Sequence, residues 1–366
     1  MAEDPSLLGF VSSLGGGDPL RVEENLGDGY VRLRVLEAER RQAKHDIRCV
    51  EDVLVELLRN ARDAGARKVL VASAREGAIR TLVVLDDGCG IPEEMQERVF
   101  DARVTSKLDS VHVDRWGVHG RGMALFSIRE NAESAEVLAS APGRGTAIRV
   151  TCDTGRLPER ADQSTWPRLA ARANGHGADA LGRGPHNLVR ACCEFGLESE
   201  GSCRVYVGSP AQVVSTVVAR CGAAAATGPA TSAGAAVAGR PPTLLEELAA
   251  SPGAAALAEA AGRLGLQTSE RNALRVLSGE VAPLANVCAT LRAARDGRPG
   301  ARPAAPGEGL GRAIGLSCED AEGLARSVTR DVRELGERYY FRPCGEAKVS
   351  VRDGQLCITV AIADDE

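Results

Sequence analysis

Glu56-Leu57-Leu58-Arg59-Asn60-Ala61-Arg62-Asp63-Ala64-Gly65-Ala66 is the stretch whose spacing decides how this chain folds. It predicts a helix from about Asp46 to Ala64, with Gly65 just past its end as a left-handed cap. At roughly 100° per residue, Glu56, Asn60 and Asp63 fall within about 60° of one another. Val50, Val53, Leu54, Leu57, Ala61 and Ala64 form a separate apolar stripe. One stripe packs; the other either faces a cleft or is the solvated edge of an amphipathic helix.

Downstream, Lys68-Val69-Leu70-Val71-Ala72-Ser73 and Ile79-Arg80-Thr81-Leu82-Val83-Val84-Leu85 read as two strands joined in a hairpin at Glu76-Gly77. The second runs into Asp86-Asp87-Gly88-Cys89-Gly90. Glycines at alternate positions after a buried strand let the backbone turn sharply and approach a flat ligand, and the Asp86 carboxylate can accept a hydrogen bond from an exocyclic amine. A tight turn is the plainer account of the same residues. Glu93 to about Val99 reads as a short helix. Residues 101–122 lack periodicity, which is long for a structureless loop and suggests a lid. Inside it lie Thr105-Ser106-Lys107 and Gly117-Val118-His119-Gly120-Arg121-Gly122, which leads into a helix from Met123 to about Asn131. Backbone amides at a glycine-preceded helix start suit an anion. Strands at 135–140 and 147–151 follow, joined through Gly145-Thr146. The order predicts an α/β sandwich with helices on one face of a mixed sheet.

Upstream, residues 1–29 contain a Gly-Gly-Gly run and read as a flexible arm, and a helix is expected from Tyr30 to about Gln42. Beyond residue 152, a helix (187–195), a strand (204–207) and a further helix to residue 219 make an α/β segment spanning 153–221. An Ala/Gly/Pro-rich linker (222–242), a helical segment (243–296), a second linker (297–312) and a helix-plus-hairpin output region (313–366) complete the chain. The final hairpin turns at Asp353-Gly354.

The chain of 366 residues is 44% hydrophobic and 26% charged, an ordinary globular composition. A net charge of −5 does not support a nucleic-acid partner. No apolar run approaches the roughly 18 residues a membrane helix needs, and the acidic N-terminus lacks the pattern of a signal peptide. Eleven cysteines without C-x-x-C spacing fit reduced thiols and a cytoplasmic location. Cys192, Cys193, Cys203 and His186 match no zinc spacing, and buried free thiols are expected there.

Taken together, these motifs resemble the GHKL ATPase superfamily (Bergerat fold): gyrase B, the heat-shock chaperones of ninety kilodaltons, histidine kinases and MutL. Glu56, Asn60, Asp63 and Ala64 are similar to its first motif. Asp86-x-Gly88-x-Gly90 looks like the motif whose aspartate reads adenine, Gly117-x-x-Gly120-x-Gly122 like the lid motif, and Gly145-Thr146 like the closing pair. The resemblance implies a GHKL ATP-binding domain over 30–152 followed by a mixed α/β region, with ATP and Mg2+ bound. Within the superfamily the helix motif is most similar to MutL and to the topoisomerase VI B subunit, and Ser106-Lys107 resembles the latter's lid. No Gly-x-x-x-x-Gly-Lys occurs, which excludes a P-loop.

The roles follow from residue chemistry within that frame. Glu56 is the expected general base for the attacking water. Asn60 offers an amide oxygen to magnesium. Asp86, Gly88 and Gly90 belong to the base pocket, Thr146 is a further nucleotide-binding residue, and Asp63 supports the purine pocket or the surroundings of Arg62. The lid glycines 117, 120 and 122 bind phosphate oxygens, and Lys107 adds a point charge. In relatives a second domain contributes a lysine to the γ-phosphate; Lys348 is the sole lysine beyond position 107, and an ordinary edge-strand lysine is the alternative. A nucleotide-driven switch or dimerising clamp is expected, in DNA repair or topology, with a nucleotide-dependent homodimer and an unidentified protein client as partners. Two rivals stand beside this ATPase. A protein kinase of the histidine-kinase or anti-sigma-factor type shares the fold, although His45 lies too near Glu56 for a separate phosphoacceptor domain. A nucleotide-sensing module would bind ATP with negligible turnover.

Overall fold

The computed structural model describes residues 22–34, 37–106, 112–114, 117–119, 122–160, 163, 165–170, 179–226, 241–296, 318–339, 341–352 and 355–364. The chain enters on a hairpin, β1 (Val22–Gly27) and β2 (Tyr30–Leu33), whose turn at Gly27, Asp28 and Gly29 has positive φ throughout. This corrects two expectations. Residues 22–27 are a strand rather than part of a loose arm, and the segment from Tyr30 starts as a strand rather than a helix. Val31 and Leu33 are buried while Tyr30 and Arg32 are not, so the local period is two. The helix begins only at α1 (Glu37–Asp46).

The following helix, α2 (Val50–Asp63), is separate from α1 and carries the decisive stretch. Val50, Val53, Leu54, Leu57, Leu58 and Ala61 are all buried. Gly65 (φ +74°) closes the helix: its N–H donates to Arg62 O at 2.9 Å, and Ala66 N–H donates to Ala61 O at 3.1 Å. This Schellman pair satisfies carbonyls the helix leaves open.

Strands β3 (Lys68–Glu76) and β4 (Ile79–Asp86) follow as the expected hairpin. The short helix expected at 93–99 is instead two single 3₁₀ turns, Glu93–Met95 and Arg98–Phe100. The region expected to be irregular holds three short strands: β5 (Val104–Thr105), which pairs with β2, and β6 (His112–Asp114) with β7 (Gly117–His119). Helix α3 (Ala124–Asn131) leads into β8 (Ser134–Ala141) and β9 (Gly145–Asp153). Then come α4 (Leu188–Glu198), β10 (Arg204–Gly208) and α5 (Pro210–Ala226). Helix α5 takes in the first alanines of the tract read as a linker, in keeping with alanine's helix preference.

The central sheet has the order β10-β3-β4-β9-β8; β10 runs parallel to β3 and every other pair is antiparallel. Helices cover both of its faces, not one. Val69, Val71, Leu82, Val84, Ile148 and Val150 point to a core shared with α2, α4 and α9 (Val287–Arg295). The alternate residues Leu70, Ala72, Val83, Leu85, Ala147 and Tyr206 face α5, α6 (Leu244–Ala249), α7 (Ala254–Arg263) and α8 (Glu270–Leu277). Leu82-Val83-Val84-Leu85 is apolar at every position, the pattern of a strand buried on both sides.

Helix α10 (Cys318–Tyr339) packs on β11 (Phe341–Pro343) and β12 (Lys348–Arg352). Strand β12 pairs with β13 (Gln355–Thr359), and β11 with β14 (Ile362–Asp364). Thr329 ties helix to sheet: its hydroxyl accepts from Ala347 N–H at 2.8 Å and donates to Ala325 O at 2.7 Å. No described helix is long and apolar enough to cross a membrane.

Candidate functional site

A cavity of about 620 Å³ opens where α2, the ends of β4 and β9, and the segment before α3 converge. Glu56, Asn60, Asp86, Gly90, Gly122 and Thr146 are among the residues that line it. Helix α2 brings Glu56 and Asn60 there because its apolar side is committed to the sheet, which turns the polar stripe outward.

Asp86 ends β4 and is 5% exposed. Its Oδ1 accepts the Gly88 N–H at 2.8 Å, which bends the chain immediately after the strand. The loop is wedged between two supports: Cys89 N–H donates to Ala64 O at 2.9 Å, and Gly143 N–H donates to Cys89 O at 2.7 Å. Gly90 (φ +74°) is confined by contact as well as conformation, since a Cβ there would lie 1.9 Å from Ala141 O. Asp87, to which the sequence assigned nothing, accepts the N–H groups of Arg67 and Lys68, both at 2.7 Å, and so anchors the start of β3.

Thr146 is buried opposite Asp86 in the β4–β9 register. Its hydroxyl lies 3.1 Å from Ser140 Oγ, which accepts Ile91 N–H at 2.7 Å and donates to Gly145 O at 2.9 Å. Gln96 Nε2 donates to Ser140 O at 2.9 Å. Ser140 and Gln96 thus hold the pocket wall together. Neither carries a motif signal that sequence reading could have used.

On α2, Nδ2 of Asn60 is buried without a hydrogen-bond partner among the described residues. Its unspent N–H groups are donors and suit an acceptor such as a phosphate oxygen, whereas only the oxygen of the same amide, a hard neutral ligand, could face a magnesium ion. Asp63 reaches Arg62 (Oδ1 to Nε 3.7 Å), and the Arg62 guanidinium lies 5.2 Å over the Phe195 ring. Glu56 accepts a hydrogen bond from Arg59, which the sequence reading passed over although their i, i+3 spacing advertises such a pair.

The lid residues divide. Gly122 (φ +68°) accepts from Arg103 N–H at 2.8 Å and lines the cavity. Gly117 lies in β7, opposite Asp114 in a small hairpin. Lys107 and Gly120 lie outside the described residues. Lys348 opens β12 opposite Thr359, and its side chain is likewise outside them. Tyr30 lines the cavity, and its hydroxyl is pushed above the usual phenol range, chiefly by burial.

His45 is exposed on α1. Cys192, Cys193 and Cys203 are buried free thiols, and burial pushes Cys203 up to about 11. Among the described residues no cluster of histidine, cysteine and carboxylate side chains could hold a metal.

Residues 45–156 match the family described as histidine kinase-, DNA gyrase B-, and HSP90-like ATPase. Similar proteins include the DNA mismatch repair protein MutL of Thermus aquaticus, 43% identical over 84 residues, or 23% of this chain and 15% of that protein. MutL of Acidiphilium cryptum (strain JF-5) is 39% identical over 106 residues, 28% of this chain and 18% of that one. MutL of Rhizorhabdus wittichii is 29% identical over 188 residues, 45% and 31% respectively. The matched part of the chain therefore spans less than a third of the length of these relatives. Over residues 45–156, sequence motifs, α/β architecture and family match agree: this segment is similar to the GHKL ATPases, MutL among them.

Proposed function

We propose that this chain binds Mg–ATP in the cavity above α2 and hydrolyses it to ADP and phosphate, using the cycle as a conformational switch. The observation that supports the reading is a single cavity lined by Glu56 and Asn60 from α2, Asp86 from the end of β4 and Thr146 from β9. In this reading Asp86 accepts a hydrogen bond from the adenine amino group, and the Gly88–Gly90 backbone lies against the base. Asn60 gives its amide oxygen to the cation. Magnesium, when bound, neutralises phosphate charge. Glu56 takes a proton from water as the water oxygen bonds to the γ-phosphorus. The bond from that phosphorus to its bridging oxygen breaks, and ADP carries the electron pair away. Positioning and charge neutralisation do most of such work.

Lid closure over the phosphates, with Lys107, Gly117, Gly120 and Gly122, belongs to the same proposal, as does the likeness of Ser106-Lys107 to the topoisomerase VI B lid. So do a nucleotide-dependent homodimer, a protein client, a cytoplasmic location and a part in DNA repair. The last draws on the printed name of the MutL relatives.

Titration calorimetry of the full chain with magnesium and ATP tests the core of it. Heat of association at one site, with free phosphate released from labelled ATP, is the expected result. Label transferred to protein supports the kinase instead, and binding without turnover the sensor. No heat of association in folded material removes the nucleotide reading altogether.

A further inference from the structure

Arg59 is a buried charge at the cavity that the hydrolytic scheme leaves without a role. It is 4% exposed, lines the cavity and donates from Nη1 to Oε1 of Glu56 at 2.5 Å. The Glu56 side chain keeps 20% of its exposure. Ordinary helix-surface pairs in this molecule look different. Arg326 and Glu322 on α10 stand 3.8 Å apart with both side chains more than half exposed, where such a pair contributes little. A guanidinium withdrawn from water is costly unless it is bound to charge. Packing around Arg59 also restricts its movement, so its hold on Oε1 sets the direction of the carboxylate. A general base has to lie within hydrogen-bond reach of the proton it removes, and a loosely held glutamate has three rotatable bonds with which to miss it.

We infer that Arg59 is a positioning residue, which fixes the Glu56 carboxylate for its work on the attacking water. The inference rests on the proposed hydrolysis at this cavity. Arg59 acts through Glu56 and has no task of its own on the nucleotide.

The test is a mutant cycle in the full chain, using Glu56→Gln, Arg59→Met, the double variant and Arg59→Lys. Methionine fills much of the volume and leaves no stranded charge. Arg59→Met is expected to lower kcat about 10- to 100-fold, with KM and the Kd of a nonhydrolysable ATP analogue changed less than about threefold. Arg59→Lys should recover part of the loss. The double variant should turn over no more slowly than Glu56→Gln alone, because removing a group that acts only through Glu56 costs nothing once Glu56 has gone. A wild-type kcat in Arg59→Met, or losses that multiply in the double variant, overturns the inference. If Arg59→Met does not fold, Arg59→Lys carries the test: kcat down about threefold or more at constant KM is expected, and an unchanged kcat overturns the inference. Glu56→Gln turning over at the wild-type rate overturns the assigned base, and this inference with it. Glu56→Gln inactive beside a fully active Arg59→Met overturns the inference alone.

Discussion

The two faces of the central sheet are built from alternate residues of the same strands, yet they differ in what their helices carry. On one face α2 packs Val50, Val53, Leu54 and Leu57 and holds Glu56, Arg59 and Asn60 at the cavity. On the other, helices α5 to α8 contribute Val213, Val214, Val217, Leu245, Leu248, Leu257 and Val276 to the core. Among the described residues, none from these four helices lines the cavity. One face is scaffold with a site along its rim; the other is scaffold. A strand apolar at every position can support this division, because burying its second face leaves the first face's geometry to be set by α2 and the strand ends.

Substitutions on the two faces should therefore separate chemistry from stability. The largest effect is expected for Glu56→Ala, which should cut phosphate release by about 10²- to 10⁴-fold while calorimetry shows nucleotide binding retained. Undiminished release in clean material would refute Glu56 as the base. On the opposite face, Leu245→Ala should cost about 2–5 kcal/mol of stability, read as a lower denaturation midpoint. Turnover per folded molecule should stay at the wild-type level; a loss of turnover there would break the division between the faces. Asp86→Asn should weaken ATP binding by about 2–3 kcal/mol, because an amide N–H then meets the adenine amino group. Its test is the calorimetric Kd, and a wild-type value would remove Asp86 from the base pocket. The smallest effect is expected at the end of α2. Gly65→Ala should cost about 1 kcal/mol through its positive φ alone, since a Cβ there meets nothing within 4 Å. A drop of several kcal/mol would mean that the helix end is more tightly packed than its surroundings indicate.

What the sequence made legible was local. The strands at 68–76 and 79–86 announce themselves by the apolar stretches Val69–Ala72 and Leu82–Leu85, and the Gly65 cap by a glycine where a helix ends. Glu56, Asn60 and Asp86 stand out because helical spacing and a strand-to-glycine turn are short-range signals. What stayed hidden depends on distant partners. The four residues Tyr30–Leu33 become a strand only by pairing with β1 and with Val104–Thr105, far along the chain. The second helical layer was read as separate downstream segments, since nothing in its own periodicity says which surface it covers. The Arg59–Glu56 contact was within reach of i, i+3 reasoning, but the arginine read as one more charge in an arginine-rich chain.

Strand β10 gives the fold one further property. Arg204 through Gly208 pair residue by residue with Lys68 through Ala72, so a stretch well beyond the family match supplies the outer neighbour of β3. A fragment ending near residue 156 would lose that neighbour and all of α5 to α8. It would present a row of open amides and carbonyls beside a bared apolar plane, the combination from which strands of separate molecules stack into aggregates. The segment that matches the family is thus no detachable cartridge: its outer strand and its second apolar face are covered by sequence that the superfamily's motifs never mention.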